Sequence, residues 1–126
     1  PARALRLDRM SKIPALIAKV NALQGKVNQA EGYAQACRAA VTQLEGALGA
    51  LSSVSIDVAG MRSQSARVDR AREKAVSAQQ GVRATRSRVS DAAGELNRIA
   101  SKWERKADAF RSDLNAAKAE LAGAVG

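Results

Sequence analysis

Residues 13–51 read IPALIAKVNALQGKVNQAEGYAQACRAAVTQLEGALGAL. Apolar side chains fall at Ile13, Leu16, Val20, Leu23, Val27, Ala30, Ala34, Cys37, Val41, Leu44, Leu48 and Leu51. The steps alternate three and four throughout, which is the spacing of a coiled-coil seam. A helix of that length spans about 58 Å at 1.5 Å per residue, too long for the core of a compact 126-residue globule. It requires an equally long helical partner, and the rest of the chain supplies one.

Composition agrees with an all-α chain. Only two prolines occur, Pro1 and Pro14, and the aromatics are limited to Tyr33, Trp103 and Phe110, whereas strands favour aromatic and β-branched residues. No apolar run approaches the 18 residues of a membrane-spanning helix. With no His and a single Cys, neither a zinc cluster nor an intrachain disulfide is available. Cys37 occupies a seam position that suits a small buried hydrophobe.

The single expected domain divides into a basic arm (1–12), a first helix (13–51), a turn (52–60) and a second helix (61–124). Ser11 is the expected N-cap of the first helix, with Pro14 in its first turn, where the missing N–H costs nothing. The stretch Ser52-Ser53-Val54-Ser55-Ile56-Asp57-Val58-Ala59-Gly60 breaks the period and reads as a turn. A second ladder then begins at Met61: Val68, Ala75, Val82, Val89, Leu96 and Trp103 recur every seven residues. Gln64, Ala71, Ala78, Thr85, Ala92 and Ile99 are its expected companions. Past Trp103 the phase jumps by four, to Ala107, Phe110, Leu114, Ala117, Leu121 and Ala124, which reads as a stutter.

The fold expected is a long antiparallel two-helix coiled-coil hairpin that completes a larger helical bundle with a partner. In such a hairpin, facing residue numbers have a constant sum. A sum of 119 sets Leu51 on Val68, Leu44 on Ala75, Cys37 on Val82, Ala30 on Val89, Leu23 on Leu96 and Leu16 on Trp103. It also brings Glu31 to Arg86, Glu45 to Arg72 and Lys26 to Glu95, and is preferred over 112, which loses these charge pairs. Under 119 the end of the second helix has no counterpart except residues 1–12. The stripe of Phe110, Leu114 and Leu121 is therefore the expected docking face for another helical hairpin or a second copy.

Charge is segregated. The formal net charge of +9 arises in residues 1–12 and 61–90, while residues 13–60 and 91–126 each balance. The second basic segment carries Arg62, Arg67, Arg70, Arg72, Lys74, Arg83, Arg86 and Arg88 against Asp69 and Glu73. These charges are read first as a solvated or seam-flanking set, and as a partner surface they suit an acidic protein or anionic lipid ahead of nucleic acid. The arginines wrap around the expected helix and no aromatics interleave them, so nucleic acid is not the favoured partner. Trp103, on the seam, is read as packing. No His is present to serve as a base and the carboxylates are scattered, so no enzyme and no cofactor are expected.

Two long helices joined through Val58-Ala59-Gly60 resemble the WxG helical-hairpin family of type VII secretion, including the longer coiled-coil partners of LxG toxins. The family places a hydrophobic-x-Gly element between its helices. Here Val58 and Gly60 hold the outer positions of that element, and Val58 stands where the family has tryptophan. The family's aromatic-x3-acid export signal has no counterpart, since Tyr33 is followed at that spacing by Cys37 and Trp103 by Ala107. The resemblance implies a hairpin that pairs with other helices, with Val58 and Gly60 near the contact, and export without a cleaved leader. The N-terminal residues also lack a signal peptide's apolar core, and a cytoplasmic location is expected before any such export. The expected function is a non-enzymatic helical interaction module, a partner or targeting factor for an effector. The alternative is a structural part of a phage or secretion assembly whose basic face contacts nucleic acid or an acidic neighbour.

Overall fold

A computed structural model describes residues 2–55 and 65–126, with side chains from residue 8 onward except that of residue 9. Val58, Gly60 and Arg62, the end of the expected turn and the expected start of the second helix at Met61 lie outside the described residues. Two helices account for nearly all of the rest: α1, Ala2–Ser52, and α2, Ala66–Val125. The chain is an all-α helical hairpin.

The helix bounds follow from local chemistry. α1 begins well before Ser11, contrary to the expected cap: Ala2 to Ser11 continue the helix, and the Ser11 hydroxyl donates back to the Asp8 carbonyl at 2.7 Å. The alanine, leucine and arginine of this arm are strong helix formers. They carry the helix through Pro14, whose missing N–H leaves one carbonyl of the preceding turn without its usual donor. At the other end, the Ser53 and Val54 amides bond to Ala50 and Leu51 carbonyls at 3.3 and 3.2 Å, tightening the last turn. The Ser52 and Ser53 hydroxyls take up the Leu48 and Ala50 carbonyls. α2 starts on Ser65, whose hydroxyl accepts from the Val68 amide at 3.3 Å, with Asp69 in the first turn favouring the dipole. Ser65→Ala should therefore cost about 1 kcal/mol of local helix stability, visible as faster amide exchange at Val68 and Asp69 with the α1 amides unchanged.

The seam of α1 is the one its sequence predicts. All twelve positions from Ile13 to Leu51 are buried or half-buried. In α2 the row Val68, Ala75, Val82, Val89, Leu96 and Trp103 is likewise half-buried, but its companions are not those expected. Ala78, Thr85 and Ala92 are exposed and Ile99 is 37% exposed. Gln79, Arg86, Ala93 and Ala100, one residue further on, line the seam instead. This row runs in phase into Ala107, Leu114 and Leu121, so the expected stutter at Trp103 does not exist. Choosing companions by hydrophobicity favours the row with Ile99; continuity of the helix selects the other.

The chain divides into two compact units, residues 1–37 with 99–126, and residues 38–98. Cross-helix contacts set the register within each. In the second unit, a guanidinium N–H of Arg86 donates to the Leu51 carbonyl at 3.0 Å and Arg38 donates to the Asn97 side-chain oxygen at 2.8 Å. In the first, the Tyr33 ring lies 4.8 Å from that of Trp103 and the Lys26 ammonium lies 5.7 Å from the Phe110 ring. With the seam phases above, each unit obeys a sum of 137, the value of the Leu51–Arg86 pair. Leu44 then faces Ala93 and Val41 faces Leu96. In the first unit Cys37 faces Ala100, Ala30 faces Ala107, Val27 faces Phe110, Leu23 faces Leu114 and Leu16 faces Leu121.

The expected sum of 119 is thus wrong by 18 residues, and its charge pairs do not form: Glu31 binds Arg111, and Arg86 binds the α1 terminus. The energetics explain the choice. Three exposed ion pairs are each worth at most about 1 kcal/mol, whereas the buried Leu114 contributes about 1.5–3 kcal/mol and the half-buried Phe110 and Leu121 each add part of that. The shifted register packs those three side chains against α1, and the described seam residues of early α2 left without α1 opposite, Val68, Ala75, Gln79 and Val82, are small or polar. Thirteen residues connect the helices. At full extension they reach about 43 Å, more than the roughly 30 Å of α2 between Ser65 and Arg86.

Six of the nine buried hydrophobics are alanine: Ala30, Ala34, Ala93, Ala100, Ala107 and Ala117. Small seam residues let helix axes approach closely, at the expense of apolar area. Leu114 is the largest side chain in that core, 3% exposed.

Candidate interaction surface

The register separates helix that has a partner from helix that does not. Leu51, in the last turn of α1, faces Arg86, so the segment of α2 from Ala66 to about Thr85 runs on past the end of α1. Among the described residues only Ser52–Ser55 continue beside it. Ser52, Val54 and Ser55 share with Gln79, Val82, Arg83 and Arg86 a cleft of about 250 Å³. From Ala66 to Lys74 every residue but Val68 is exposed.

Most of the expected basic patch lies on this segment, and the helix sorts it. Arg67, Arg70 and Lys74 fall at i, i+3 and i+7, on one face, and with Ala71 they border one shallow depression. Arg72 borders another with Asp69, Glu73 and Val76. Arg83 sits at the cleft beside Ser55, and Arg88 is exposed further along. Arg86 is different, because it takes a seam position. There its guanidinium meets the carbonyl end of α1, a helix with no basic residue of its own in the last turn, where a cation is favoured by the macrodipole. Its Nε is buried and makes no hydrogen bond. Arg86 therefore serves the hairpin and is only in part available to a ligand.

Phe110, Leu114 and Leu121 do not form the open stripe expected of them. Leu114 is buried and the other two half-buried, all within the seam against α1. Their surroundings hold the chain's whole aromatic content. Tyr33, 45% exposed, tilts at 56° onto Trp103 and accepts from the Gln29 amide at 3.1 Å. The Lys106 ammonium lies 4.5 Å from the Trp103 ring centre, and Lys26 caps Phe110, both cation–π geometries. On the opposite edge Arg111 bridges Glu31 of α1 and Asp108 of its own helix. The hydrogen bond to Glu31, followed by that to Asp108, holds its guanidinium pKa above the usual value. The three that cross between helices, Tyr33 with Trp103, Lys26 with Phe110 and Glu31 with Arg111, fix register more than they add stability. The sequence signal for them is the flanking position beside each seam, usable only once the register is known.

Other chemistry is sparse among the described residues. No group of three His, Cys, Asp or Glu side chains could hold a metal ion, and no helix is long and apolar enough to cross a membrane. Cys37 is half-buried in the seam. Comparison with known protein families, curated proteins and solved structures finds no match to this chain. The functional reading therefore rests on the hairpin and its charge distribution.

Most of the basic residues between 61 and 90 lie on the part of α2 that, among the described residues, has no α1 opposite. Residues 13–60 and 91–126 are neutral overall and supply almost all of the paired seam. Early α2 holds one basic segment. The other lies in residues 1–12, ahead of the seam that begins at Ile13.

Proposed function

We propose that the chain is a non-enzymatic helical interaction module, in which a neutral paired seam displays a basic, unpaired helix to a protein partner. One observation supports this above the rest: α2 continues for about twenty residues beyond the α1 terminus while keeping an apolar row, Val68, Ala75 and Val82, along one side. A solitary solvated helix gains little from such a row; a helix that docks on another needs it. Completion of a larger helical bundle follows naturally, by a partner or by self-association. The type VII resemblance narrows the partner to an exported effector for which this chain acts as a targeting factor.

The test is site-specific. A photo-crosslinking amino acid replacing Ala78, and a second replacing Asn115 on the outer face of α2 in the other unit, are compared in extract of the native host. Protein adducts at position 78 and none at position 115 are expected. Nuclease-sensitive adducts alone at position 78 would favour the second reading, a structural part of an assembly whose basic face contacts nucleic acid. That reading draws on the same segregation of charge. Equal labelling at both positions would defeat the docking assignment.

A further inference from the structure

The exposed companions Ala71, Ala78 and Thr85 are a second set of seam positions on α2. They share the row of Val68, Ala75 and Val82 with the seam that α1 uses further along, and diverge from it by one residue in phase. A helix bearing two seams on a common row is built to contact two neighbours, as in bundles of three or more helices. α1 takes one seam; among the described residues nothing takes the other.

The charges around this second seam indicate what does. At 3.6 residues per turn, Val68, Ala71, Ala75, Ala78 and Val82 occupy about 80° of arc. Arg67 and Lys74 border the arc on one side, with Arg70 and Arg88 beyond them. Arg72 and Arg83 border it on the other. The two acidic residues of the segment, Asp69 and Glu73, lie on the far side of the helix. A row of alanine and valine with cations along both borders is complementary to a helix whose own apolar seam is bordered by Glu and Asp. A second copy of the same segment would set like charges against each other, which is unfavourable across a seam.

We infer that the second seam of α2, from Val68 to Thr85, receives an acidic amphipathic helix of another protein, about five turns long. This rests on the docking function proposed above and specifies its partner. The aliphatic row supplies the contact, the small residues permit close approach, and the arginines select partner and orientation.

Three synthetic peptides test the inference. Each has three heptads with Leu and Ala at the seam, and the flanking positions are all Glu, all Gln or all Lys. A random duplex DNA of similar length is the fourth probe. The whole chain is used, and circular dichroism confirms that each variant keeps its helicity. The Glu peptide should bind about tenfold more tightly than the Gln peptide, lose that advantage at high salt, and exceed the Lys peptide by more. Arg67→Glu, Arg72→Glu and Lys74→Glu together should reverse the order in favour of the Lys peptide. Ala71→Asp with Ala78→Asp should remove binding of all three. Equal affinity for the Glu and Gln peptides would overturn the acidic partner while leaving helix docking intact. Binding of DNA with none of the peptides would overturn both.

Discussion

Replacing Ala100 with cysteine should yield a disulfide with the native Cys37 under mild oxidation, and stabilise the folded chain by roughly 4 kcal/mol. The register sets these positions face to face, and Ala100 is 0% exposed. The loop closed by that bond contains about sixty residues, and the chain-entropy relation for such a loop gives the quoted magnitude. Mass spectrometry of the non-reduced digest reads the bond, and denaturant unfolding with and without reductant reads the stabilisation. The register sum of 119 makes the opposite forecast: there Cys37 faces Val82, and Val82→Cys is the variant that should cross-link. A bond at 82 and none at 100 would remove the present register.

Leu114→Ala should cost the isolated chain about 3 kcal/mol, a typical value for a buried leucine with partial collapse of the site. Few side chains in this protein can lose as much, because the core is chiefly alanine and gives up little when truncated. The comparison with Phe110→Ala is informative, since Phe110 is only half-buried and keeps part of its surface in water in either state. If Leu114 served a partner and not the hairpin, truncation would leave the chain's own unfolding curve in place. Unchanged stability would thus return Leu114 to the docking face that the sequence first suggests.

The two helices and the α1 seam are legible in the sequence because the three-four alternation from Ile13 to Leu51 admits one reading. The second seam is ambiguous for a physical reason. Between Ala75 and Ala100, α2 offers two adjacent rows, and the more apolar one, Ala78, Thr85, Ala92 and Ile99, is not the one that packs; Gln79, Arg86, Ala93 and Ala100 are. Local pattern ranks them in the wrong order, because it does not see that the second row continues in phase into Ala107, Leu114 and Leu121. A polar residue such as Arg86 looks misplaced in a seam until the α1 terminus is seen to need a cation. Register is harder still, because a heptad repeat matches itself at every shift of seven and the deciding term is the burial of three large side chains far from the turn. The basic patch is visible as composition. Its division into faces becomes meaningful only when the helix is known to continue past its partner.

The pairing of Tyr33 with Trp103 gives the molecule a built-in optical gauge. Each is the sole residue of its kind, they come from different helices, and their rings lie 4.8 Å apart. Excitation absorbed by the tyrosine therefore passes to the tryptophan while the helices are together and is emitted by the tyrosine itself once they part. Both rings belong to the unit of residues 1–37 and 99–126. Fluorescence consequently reports separation of that unit alone, and opening confined to residues 38–98 would be dark to it. A spectrum that holds steady while backbone amides between Arg38 and Arg98 exchange would reveal the two units melting one after the other.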